Sequence, residues 1–173
     1  MNASFFVLLI AAVGAGVVVA GWTPTRPSAP RFWPGVIGLG GLVAALLAVG
    51  VVSGTLTRHL IQVAPASLAL ILVASGSRYG RAAALPILTL WSVLMGTIWL
   101  FLLGLTSIVQ GHFTPVEITL TVTIAGACLI GLAGGPRPTA NLSLSRRAAA
   151  ATTSGLFQLA AFWASAQPWA NIR

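Results

Sequence analysis

Arg58, His59, His112, Glu117 and Cys128 are the residues of this chain best suited to chemistry. Imidazole, carboxylate and thiol side chains ligate metals and haem and relay protons. Number and spacing remove most of that repertoire. Glu117 is the single carboxylate side chain, so no paired-carboxylate acid–base site can form. Without aspartate, a Ser-His-Asp set lacks its usual third member, and Glu117 is its only substitute. Neither histidine stands at metal-ligand spacing with Cys128, and no glycine-rich phosphate loop follows a strand pattern. Cys128 lies in an apolar run and reads as a small packing residue. The expectation is a non-enzyme with no catalytic residue, no metal site and no cofactor. His59 and His112 are kept as the cofactor-binding candidates, an axial haem pair being the chemistry they would supply.

The elements that must position these residues are membrane helices. Apolar residues make up 57% of the chain and charged residues 6%, against roughly 25% charged in a soluble domain. That is too little charge to cover a water-facing surface. The arginines are scattered between apolar runs, which points to a lipid bilayer as partner and away from nucleic acid. A span needs ~20 apolar residues. Runs at about 3–22, 33–54, 60–77, 82–109 and 116–134 meet or approach that length. A sixth stretch, 148–166, either spans or lies in the interface as an amphipathic helix, with spanning favoured. The fold class is therefore all-α: one polytopic transmembrane domain of five to six helices over residues 1–173. Three prolines in 23–32 break the first two runs apart, and Trp22 and Trp33 bracket that loop as interfacial anchors. The first run is read as a retained helix because no basic segment precedes it. The run 82–109 exceeds the bilayer thickness and is expected to tilt or protrude, with Pro86 in its first turn.

Charge gives the orientation. With the N-terminus outside, Arg26, Arg31, Arg78, Arg81, Arg137, Arg146 and Arg147 fall on the cytoplasmic side and Arg58 outside, as basic residues prefer. The composition, rich in Ala, Gly, Arg and Pro, fits a GC-rich bacterium, so the expected location is a bacterial inner membrane, multi-pass. This topology gathers Arg58, His59, His112 and Glu117 into one outer polar cluster. Within it Glu117 is first a helix-start anchor after Pro115, with Arg58 as counter-charge. No ionisable residue sits at the centre of a run, which disfavours a self-sufficient proton-coupled antiporter.

Small residues recur at spacings of four. Thr119, Thr123, Ala127, Gly131 and Gly135 form the longest such stripe, with shorter ones at Ala12, Gly16 and Ala20 and at Gly40, Ala44 and Ala48. Such faces let helix backbones approach closely in lipid, within one bundle or against another chain. Trp91, Met95 and Trp99 form a bulky ridge, read as packing with a quinone or other hydrophobic ligand as the alternative. The segment Ala29-Pro-Arg-Phe-Trp-Pro34, followed by Gly38 and Gly40-Gly41, resembles the small membrane subunit of tripartite tricarboxylate transporters. That resemblance implies a place in a transport complex and assigns no functional residue. Together these features favour a non-catalytic accessory subunit of a larger membrane complex, with other membrane subunits or further copies as partners. The alternatives are an oligomeric channel or transporter component lined by Gln110, Thr119, Thr121 and Thr123, and a haem- or quinone-binding redox subunit using His59 and His112.

Overall fold

A computed structural model describes residues 3–22, 33–109, 111–133 and 142–171. The helices are α1 (Ala3–Trp22), α2 (Trp33–Val52), α3 (Leu56–Ala74), α4 (Gly80–Leu102), α5 (Pro115–Ala133) and α6 (Leu144–Ser165). A short 3-10 turn, Pro168–Asn171, follows them, and the described residues contain no strand. Helices α1 to α5 are each long and apolar enough to cross a membrane. The loop 23–32, Gln110 and the glycine-proline stop at 134–136 lie outside the described residues.

Backbone chemistry sets several helix ends away from where hydropathy puts them. α2 closes at Gly54 (φ 66°), where the Thr55 N–H reaches Gly50 O at 2.8 Å and the Gly54 N–H reaches Val51 O at 3.3 Å. This is a Schellman closure, and it lets α3 begin at once, at Leu56 rather than residue 60. Arg58 and His59 therefore stand in the first turn of a helix and not in a loop. Gly104 (φ 74°) ends α4 the same way, through Leu105 N–H to Leu100 O at 2.8 Å. The apolar run 82–109 is thus a 23-residue helix followed by a connection, so its length demands no protrusion. α4 starts at Gly80, which moves Pro86 into the helix interior. Proline has no N–H for the carbonyl four residues earlier. The carbonyl concerned is that of Ala82; one residue on, the Ser154 hydroxyl of α6 donates to Ala83 O at 2.7 Å and ties α6 to α4.

α4 is the hub. It packs against all five other helices, and α1, α6, α3, α2 and α5 surround it in that order. Among the described residues α5 and α1 make no close approach, so the ring is open there. α6 belongs to the bundle throughout its length. It runs parallel to α4, with Phe162 on Trp91 at 5.3 Å between ring centroids, and antiparallel to α1, with Gly155 on Val13 and Phe162 on Phe5. At ~1.5 Å per residue a 22-residue helix reaches about 33 Å, comparable to the hydrocarbon thickness. Its lower apolarity comes partly from Gln158 and Ser165, which are fully buried. Gln158 Nε2 donates to Gln62 O at 3.2 Å, and Gln62 Nε2 donates to Ser165 Oγ at 3.0 Å. These bonds tie α6 to α3.

The two ends of the bundle are built differently. Up-and-down alternation gathers the starts of α1, α3 and α5 with the finishes of α2, α4 and α6. Arg58 lies at that end, while Arg78, Arg81, Arg146 and Arg147 lie at the other. At the arginine-rich end, backbones touch. A Cβ added at Gly16 would fall 2.5 Å from Pro86 Cα, and one added at Gly38 would fall 2.6 Å from Gly131 Cα. At the Arg58 end, Phe5, Phe113, Leu94, Met95 and Phe162 stand where those glycines stand opposite, and a cavity lies among them.

Candidate functional site

The cavity at the Arg58 end holds about 320 Å³ and is half-open. Its polar lining comes from the α2–α3 turn and the first two turns of α3 and α5: Ser53, Thr55, Arg58, His59, Gln62, Glu117 and Thr121. Its apolar lining includes Leu46, Leu94, Met95, Ile98, Ile124 and Phe162. Glu117 and Ile124 are seven residues apart on α5, about 10 Å along the axis, so polarity falls off over two helical turns.

Each polar group has a local reason for its position. Thr114 and Glu117 form a capping box at the start of α5. The Thr114 N–H and hydroxyl both donate to Glu117 Oε2 at 2.8 Å, and the Glu117 N–H donates to Thr114 Oγ1 at 3.3 Å. Glu117 is a helix-start anchor whose bonds come from Thr114 and not from Arg58. On α3, His59 Nδ1 lies 3.0 Å from Thr55 O and 3.1 Å from Thr55 Oγ1. A carbonyl only accepts, so Nδ1 carries the proton and the neutral ring keeps its lone pair on Nε2. Thr55 Oγ1 is also 2.5 Å from Ser53 Oγ, and it makes no side-chain cap bond to the first amides of α3.

Among the described residues, two donors in the lining have no hydrogen-bond partner: Arg58 Nε and Trp91 Nε1. The Trp91 side chain is 2% exposed, so its indole N–H is cut off from solvent. A buried donor without an acceptor costs on the order of 1–3 kcal/mol. Both vacancies are for hydrogen-bond acceptors.

The outer polar cluster assembles in part. Arg58, His59 and Glu117 line the cavity, whereas His112 is exposed in the α4–α5 connection and is not among its lining residues. His59 lines the cavity and His112 does not, so this cavity does not bring the two histidines together. Among the described residues, no three His, Cys, Asp or Glu side chains gather as metal ligands. The small-residue stripe of α5 divides as well. Ala127 and Gly131 are buried against Gly38 and Gly41 of α2, while Thr119 and Thr123 are exposed; Gly135 is outside the described residues. Thr121 is buried in the cavity wall, on the opposite face from Thr119 and Thr123. These three threonines cannot line one lumen, and Gln110 lies outside the described residues. The α1 stripe of Ala12, Gly16 and Ala20 is buried, but Ala44 of the α2 stripe is exposed and a Cβ at Gly40 would meet nothing within 4 Å.

Spacing in the sequence marks Trp91 and Met95 as a ridge, but nothing local links them to Arg58 and Glu117. Gln62, a polar residue inside an apolar run, was the signal that a buried polar lining existed. No protein-family model matches this chain, and neither a curated protein nor a solved structure matches it.

Proposed function

We propose that this protein is a non-catalytic subunit of a larger membrane complex, docking its partner on the outer face of the α2–α5 pair. One observation carries this reading: small residues on that face are left uncovered. Gly38 opposes Gly131 and Gly41 opposes Ala127, so α2 and α5 are antiparallel. On a helical wheel with that pairing, Gly40, Ala44 and Ala48 fall on the same side as Thr119, Thr123 and Gly126. Ala44, Thr119 and Thr123 are exposed, and Cβ atoms at Gly40 and Gly126 would meet no neighbour within 4 Å. In lipid the helix–helix attraction comes from close packing, and such a notch admits a second backbone. The Thr119 and Thr123 hydroxyls are already satisfied by Pro115 O and Thr119 O. Packing, not interhelical hydrogen bonding, is therefore the binding force.

The proposed setting is a bacterial inner membrane with the Arg58 end outside, following the arginine distribution. Purification in mild detergent should bring down a stoichiometric membrane partner that is lost on Gly40→Leu with Ala44→Leu, while the bundle stays folded. A clean monomer or homo-oligomer would sink the reading. Cysteine accessibility at positions 26, 58 and 112 tests the orientation, and labelling of position 26 from outside reverses it.

A further inference from the structure

We propose that the cavity at the Arg58 end binds a single-chain anionic amphiphile, its acidic head at Arg58 and its chain against Leu94, Met95 and Phe162. This stands apart from the docking face on α2–α5 and rests on different residues. The volume of about 320 Å³ is at the small end of ligand sites, suited to one chain with a compact head. The walls pass from polar at the helix ends to apolar within two turns, which is the profile of an amphiphile. The open hydrogen-bonding positions call for acceptor atoms on the head, and the Arg58 guanidinium favours a negative charge on it. Arg58 Nε and Trp91 Nε1 are both donors without partners among the described residues, and Trp91 is 2% exposed and lines the cavity.

Electrostatics point the same way. Arg58 is the third residue of α3, where the helix dipole is positive and a cation is unfavourable. Thr55 leaves the first amides of that helix without a side-chain cap, since its hydroxyl faces Ser53 and His59. An anion beside Arg58 relieves both features. The other titratable groups lining the cavity are His59 and Glu117. His59 donates from Nδ1 to Thr55 O and Glu117 holds Oε2 on Thr114, and among the described residues neither bonds Arg58 Nε. The Glu117 carboxylate sets one negative charge in the same wall, so the head belongs on the Arg58 side of the cavity. A carboxylate or a phosphate would serve as the head, and both present acceptor-only oxygens to a guanidinium.

The test is equilibrium binding to the full chain in phosphatidylcholine nanodiscs, with empty nanodiscs subtracted, using laurate, dodecyl phosphate and dodecanol. Saturable binding of one laurate or one dodecyl phosphate per chain is expected, with dodecanol at least about 10-fold weaker. The tighter of the two anions names the head, a free acyl carboxylate or a phosphate-bearing lipid. Arg58→Gln should weaken both anions about 10-fold or more and leave dodecanol unchanged, and Arg58→Lys should restore part of the loss. Met95→Trp, which fills the cavity from a different helix, should remove binding of all three; its helicity is checked alongside. Partitioning no greater than into empty nanodiscs, equal affinity for laurate and dodecanol, or an unchanged Arg58→Gln variant would each overturn the proposal.

Discussion

The arginine-rich end and the Arg58 end of this bundle are packed differently, although Gly50 lets α2 approach the start of α3 closely at the Arg58 end as well. At the first, Gly16 meets Pro86 and Gly38 meets Gly131, so backbones close on one another. At the second, aromatic and long aliphatic side chains hold the helices apart around a cavity of about 320 Å³. Dispersion contact is densest where side chains are smallest, because removing a Cβ lets whole backbones approach. The Arg58 end, by contrast, keeps polar groups and unfilled space around the cavity.

That contrast can be broken at its tight end first. Gly38→Leu should prevent recovery of a folded bundle, since even a Cβ there would stand 2.7 Å from Ala127 O and Gly131 N. Gly38→Ala should cost about 1–3 kcal/mol, read as a lowered midpoint in detergent-denaturant unfolding. Thr114→Ala removes the capping box and should cost about 0.5–2 kcal/mol, with fraying confined to the start of α5 by hydrogen exchange. Gln158→Leu removes the bond to Gln62 O but also a buried Oε1 that has no partner. These effects oppose each other, so its change should be near the ~0.6 kcal/mol average of intramembrane hydrogen bonds or below it. Gly96→Ala, where no atom lies within 4 Å of the added Cβ, should stay within about 0.5 kcal/mol of the parent. If Gly96→Ala proved as damaging as Gly38→Ala, the division into a packed and an open end would be wrong.

The helical spans were legible from the chain because lipid enforces a length of about 20 apolar residues and penalises stray charge. The same rule misplaced the start of α3. Arg58 reads as a boundary by charge, but Gly54 ends α2 and lets the next helix begin two residues later, at Leu56. Likewise no charge marks the end of α4, and Gly104 marks it instead. Spacing located the small-residue stripes but could not say which would be covered. The α1 stripe is buried and Ala44 of the α2 stripe is exposed, a difference decided by the order of helices around α4. The cavity draws lining residues from all six helices and so has no local signature at all. Glu117 as a helix-start anchor was readable, because Thr114-Pro115-Val116-Glu117 is a capping-box sequence on one turn.

The order of helices around α4 also bears on how the protein is made. α1 packs on α4 and α6 and makes no close approach to α2, its immediate successor in the chain. During synthesis it must therefore remain in the bilayer as a lone span until α4 emerges. It is suited to that wait, being the most apolar of the five spans. α6 is the reverse case: it follows the five spans and is not apolar enough to count as one by composition. Its glutamine and serines meet partners on α3 and α4, which precede it in the chain. A ribosome stalled before α6 would leave α1 without one of its two walls.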